Sequence, residues 1–190
     1  MAVNTEAPPV GLSSGRGFLL FKWTVYALLL VDAALLYVHA VWREVMEQTG
    51  WLMILVAFEA ESRGLRWRWL TGLELAGYAL AVFSWAAYAR AGAWQDFANA
   101  SLWLLVVAAL AWDLHRPPHH GGRSWRWRNR GKAGLYAALT GIALAWGVQG
   151  HWLDAWDATL WLLCFFVIEL KLFDRLGAGV RGGAGVASGG

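Results

Sequence analysis

Trp42-Arg43-Glu44-Val45-Met46-Glu47-Gln48-Thr49-Gly50-Trp51 opens an apolar run, and its spacing returns twice further along the chain. Trp94, Asp96, Asn99, Ser101 and Trp103 reproduce it, as do Trp152, Asp154, Asp157, Thr159 and Trp161. The shared pattern is W-x-[ED]-x-x-[END]-x-[TS]-x-W. Aligned on it without a gap, Tyr26, Tyr78 and Tyr136 share a column, each followed by alanine, and Arg16, Arg68 and Arg126 share another. The first two copies are offset by 52 residues (Trp42 to Trp94) and the last two by 58 (Trp94 to Trp152). One insertion of about six residues is therefore expected, most simply in Arg116-Pro117-Pro118-His119-His120-Gly121-Gly122.

Each copy contains two apolar stretches: 18–41 and 47–62, 69–91 and 94–114, 133–150 and 153–173. A bilayer core of about 30 Å takes roughly 20 helical residues at ~1.5 Å each. The stretches match that length if the Trp motif supplies the first turns of each second helix. They show no period-two alternation, so barrel strands do not fit. The column between the two stretches holds Ala40, Gly92 and Gly150, small residues suited to tight reversals. The expected fold is an all-α integral membrane protein, six transmembrane helices forming three repeated hairpins in a pseudo-threefold internal repeat.

The composition agrees with a bilayer. Hydrophobic residues make up 58% of the 190 and charged residues only 15%, with 15 Trp, whereas soluble domains carry about 25% charged residues. Cys164 is the single cysteine, so no intrachain disulfide exists. The expected organisation is a flexible arm (1–15), hairpin 1 (16–65), hairpin 2 (66–116), an inner linker (117–123), hairpin 3 (124–176) and a disordered Gly-rich tail (177–190). Val38-His39-Ala40 resembles a signal-peptide cleavage site, but the apolar run 18–41 exceeds a usual signal core and is one unit of the repeat, so it is expected to be retained.

With a cytoplasmic N-terminus, fourteen of the sixteen Lys and Arg fall on inner segments, and only Arg43 and Arg90 lie outside. The positive-inside rule then gives N-in and C-in, a topology that suits a bacterial inner (plasma) membrane. The net charge of +3 reflects that orientation and contact with anionic headgroups; it is no evidence for nucleic acid. Trp67, Arg68 and Trp69, and again Trp125, Arg126 and Trp127, interleave indole with guanidinium and read as interfacial anchors on those headgroups.

The repeated motif carries the chemistry. At about 100° per residue its acidic positions and second Trp share one side of the helix, while the first Trp and the Thr/Ser face away. Glu44, Asp96 and Asp154, backed by Glu47, Asn99 and Asp157, would form an outer acidic collar that concentrates cations. The competing reading makes them first-turn acids favoured by the helix dipole. Deeper carboxylates are costlier and so more diagnostic. Asp32 lies well inside the first helix, with Glu59, Glu74 and Glu169 toward the inner side, and together they suggest a proton or cation relay; the alternative is polar glue between helices.

His39 and His151 stand in different repeat columns and have no ligand spacing, while His115, His119 and His120 crowd the linker, so no metal or cofactor is expected. No Ser/His/Asp set, phosphate loop or HExxH pattern occurs, so the chain is not expected to be an enzyme. Two functions lead: a small proton- or cation-linked transporter or channel, or a non-catalytic membrane subunit that packs against partner proteins, lipids or further copies of itself; an enzyme acting on a lipid through paired inner carboxylates is a distant third.

Overall fold

The computed structural model describes residues 15–65, 67–116 and 123–186, with side chains up to Glu169 apart from those of 114, 115 and 123. Most of the expected arm, linker segment 117–122 and residues 187–190 lie outside the described residues. The rest is helical: α1 (Arg16–His39), α2 (Trp42–Ser62), α3 (Arg68–Ala91), α4 (Trp94–His115), α5 (Arg123–Gln149) and α6 (Trp152–Val186). Three of these are long and apolar enough to cross a membrane: α1, α3 and, within α4, Trp94–Asp113.

Two boundaries differ from expectation. α5 begins at Arg123, ten residues before the apolar stretch at 133, because Arg and Lys are good helix formers and no proline follows Pro118. α6 continues through Val186, past the start of the segment expected to be a disordered tail. Its glycines weaken a helix by only about 1 kcal/mol each, and without proline nothing removes a backbone donor.

The helix-to-helix turns are short. Gly92 (φ 71) and Gly150 (φ 85) adopt the left-handed conformation that glycine accepts without strain. After each, the next N–H reaches back to a carbonyl five residues earlier, Ala93 to Tyr88 at 3.1 Å and His151 to Trp146 at 2.9 Å. Such turns force consecutive helices antiparallel. Each helix packs on the next and α6 returns to α1, so the six helices close into a ring of contacts.

The tightest crossing joins α2 and α3. A Cβ on Gly50 would lie 2.8 Å from the Gly77 carbonyl oxygen, and one on Gly77 would lie 2.7 Å from the Gly50 oxygen. Only two glycines permit that approach. At the centre Trp51, Trp103 and Trp161 gather around Phe165, with ring centroids 6.1, 4.7 and 6.3 Å from it. Polarity is inverted relative to a water-soluble bundle: Asp32, Ser84, Gln48, Lys22 and Lys132 are buried, while Val148 (90% exposed), Val38 (76%) and Leu20 (71%) face outward.

Candidate functional site: an acidic vestibule

α2, α4 and α6 each begin on the first Trp of the motif, which places Glu44, Asp96 and Asp154 in the first turn. Glu44 closes the helix start by accepting the Val41 N–H at 3.3 Å. Residues three and seven positions further on share its face, which brings Glu47 and Trp51, Asn99 and Trp103, and Asp157 and Trp161 into line beneath the acids. On the other side Thr49, Ser101 and Thr159 each donate to the carbonyl four residues back, at 2.7 Å in every case. The outer Trp42, Trp94 and Trp152 are exposed.

All six collar residues and the three inner Trp line one pocket, with a cavity volume of about 40 Å³. At roughly 10–15 Å³ per water, it holds about three waters or one small cation. A drug-sized solute, which needs ~300 Å³ or more, does not fit. Five carboxylates and Asn99 form the walls, and Trp51, Trp103, Trp161 and Phe165 close the bottom.

The carboxylates are held differently. Glu47 accepts from Tyr88 Oη at 2.7 Å and from Trp51 Nε1 at 3.4 Å. Asp154 lies 3.5 Å from His151 Nδ1. Asn99, 9% exposed, has its Oδ1 buried without a donor. Asp157 neighbours Asp32, which stands behind the vestibule on α1 and is fully buried. Asp32 Oδ2 accepts from Gln48 Nε2 at 3.1 Å, and Gln48 Oε1 accepts from Trp161 Nε1 at 2.8 Å. An indole N–H only donates, so it fixes which end of the Gln48 amide meets Asp32.

Glu59, Glu74 and Glu169 lie in separate clusters. Glu59 is bonded by Lys22 Nζ at 2.8 Å, Tyr26 Oη at 3.2 Å and Arg63 at 3.1 Å. Lys132 Nζ bridges Glu169 at 2.7 Å and Asp113 at 3.1 Å, and Arg128 holds the other Asp113 oxygen at 3.0 Å. Glu74 neighbours Tyr78 on its own helix. Asp32 and Tyr26 are six residues apart, about 9 Å along the axis, and the buried Leu29 lies in that interval. Asp32 thus belongs with the collar, apart from Glu59, Glu74 and Glu169. Among the anchors, Trp67 and Trp69 pair with centroids 5.7 Å apart, and Arg68, Arg126 and Trp127 are exposed while Trp125 is half-buried.

Sequence reasoning passed over Gln48, Lys22 and Lys132 as partners of the candidate residues. A signal existed for the lysines: Lys22 to Glu59 and Lys132 to Glu169 are both 37 residues apart. Among the described residues no group of three or more His, Cys, Asp and Glu side chains is arranged to hold a metal ion. No protein family, curated protein or solved structure matches the chain.

Proposed function

We propose that this is a six-span membrane protein, three hairpins with both termini cytoplasmic, that takes a proton or a small cation into its outer vestibule as the binding step of proton- or cation-linked transport. The observation that carries the reading is the convergence of Glu44, Glu47, Asp96, Asp154 and Asp157 from three helices on one small cavity, with buried Asp32 beside Asp157. An acidic concavity with an apolar floor concentrates cations and little else. The inverted polarity of the bundle supports insertion, since large exposed apolar side chains on every side find their solvent in lipid. In this reading the structure is open to the outside and closed to the inside, with the Trp and Phe165 floor as the inner barrier.

The same floor favours a second reading, a sealed membrane subunit whose collar faces a partner. Flux separates the two. Purified protein in liposomes is expected to move protons or cations, and Asp32→Asn, at matched incorporation and folded, is expected to abolish that movement. Absence of flux from the wild type would leave the subunit reading.

A further inference from the structure

The pair formed by Asp32 and Asp157 is the one feature of the vestibule whose geometry specifies a ligand. Asp32 and Asp157 are neighbours, and each carboxyl has its Oδ1 buried with no donor from the protein. A carboxylate has no hydrogen to donate, so two neighbouring carboxylates cannot satisfy each other's buried oxygens, whereas a proton on one of them lets it donate to the other. The surroundings oppose a second negative charge. From α2 the pair is faced by Glu44, Glu47 and neutral Gln48, from α6 by Asp154, and from α4 by Asp96 and Asn99, while α5 contributes Trp146. α3 reaches the cluster through Tyr88, which is bonded to Glu47. The nearby basic side chains are Arg43, which acts on Glu44 and Asp96, and His151, which acts on Asp96 and Asp154.

We propose that Asp32 and Asp157 bind a single shared proton, and that Gln48 transmits the state of that site to Trp161 in the vestibule floor. The inference rests on the transport reading for its use and deepens it by naming the proton as the ion. With the proton present, the pair carries one negative charge and one carboxyl donates to the other. When the proton leaves for vestibule water, two adjacent carboxylates repel, and the bond from Gln48 to Asp32 strengthens because its acceptor is then a full anion. Gln48 cannot move toward Asp32 without drawing its Oε1 away from Trp161 Nε1. Trp161 in turn packs on Trp51, centroids 6.3 Å apart, and on Phe165. Loss of one proton at the side of the vestibule thereby loosens its floor, which is the coupling an alternating-access cycle requires.

The test is infrared difference spectroscopy of the full chain in lipid nanodiscs as pH is raised, alongside the indole N–H resonance of Trp161 assigned with Trp161→Phe. Expected is one protonated-carboxyl band that disappears in Asp32→Asn and equally in Asp157→Asn, with no further loss in the double variant. The Trp161 resonance is expected to shift with the same midpoint as the band and to lose that shift in Gln48→Leu. A missing band in folded wild type overturns the proposal, as do two bands lost independently in the two variants. A band discharged at constant pH by adding sodium, potassium or calcium overturns the proton in favour of a bound cation. If Asp32→Asn does not fold, Asp157→Asn and the wild-type titration decide alone. A shared-proton band without flux sinks the transport reading and leaves the proton site; flux without the band does the reverse.

Discussion

Replacing Gly77 by alanine tests the packing that positions the vestibule. The added Cβ would meet the Gly50 carbonyl oxygen at 2.7 Å and Ile54 Cγ1 at 2.8 Å, against 3.4 Å or more for ordinary contact. Ile54 could turn aside, but a backbone carbonyl inside a helix cannot, so α2 and α3 must part by several tenths of an ångström. A gap of ~0.5–1 Å forfeits a quarter to a half of each dispersion well, so roughly 20 atom pairs at ~0.15 kcal/mol each lose about 1 kcal/mol. With residual strain the total falls in the range of about 1–3 kcal/mol typical of overpacking. Helix propensity acts in the opposite direction, by up to ~1 kcal/mol for Gly to Ala. Gly72→Ala isolates that term, because nothing stands within 4 Å of its Cβ position. In reversible unfolding by SDS in mixed micelles, followed by circular dichroism, Gly77→Ala is expected to fall below Gly72→Ala by about 1–3 kcal/mol. Gly50→Ala strikes the reciprocal carbonyl at 2.8 Å, so one separation relieves both clashes and the double variant should lose less than the sum. Equal stability of Gly77→Ala and Gly72→Ala would refute the close approach.

Further outcomes follow from the ion pairs and the topology. Lys132 bridges two carboxylates, whereas Lys22 shares Glu59 with Arg63. Lys132→Met is therefore expected to lower stability by about 3–5 kcal/mol, as for a broken buried pair, and Lys22→Met by about 1–3 kcal/mol; the reverse order in the same unfolding assay would contradict the assignment. In a Cys164→Ser background, Ala93→Cys should react with a membrane-impermeant maleimide added outside intact cells, and Leu65→Cys only after the cells are opened. Labelling of Leu65→Cys in intact cells would invert the proposed orientation. Asp32→Asn should leave the protein folded and abolish flux in liposomes, and persistent flux would remove Asp32 from the transport path.

The parts of this fold legible in sequence are those set by order within a single helix. Trp42, Trp94 and Trp152 mark helix starts because the motif joins a first-turn acid to an apolar run, and the i, i+3, i+7 arithmetic places Glu44, Glu47 and Trp51 on one face. Partners across helices were not legible. Gln48 meets Trp161 across 113 residues and Asp32 meets Asp157 on the last helix; no periodicity along one segment records which neighbour closes the ring. In the sequence Lys22 and Lys132 are simply two of the fourteen basic residues of the inner segments. In fact they turn inward, where a long apolar stem can be buried while the ammonium finds a carboxylate. The helical start of α5 was hidden by its charge, since Arg and Trp at a membrane boundary read as an anchor whether the backbone is helical or extended.

The cluster at the vestibule floor has an optical consequence. Trp51 and Trp161 lie 6.3 Å apart, close enough for excitation absorbed by one indole to pass to the other before it is emitted. Emission from these indoles should therefore be depolarised even in a vesicle too large to tumble, and Trp161→Phe should restore part of the anisotropy. Any motion that parts the two rings would register in the same way, so the protein carries, in its own side chains, a light-readable gauge of whether its floor is shut.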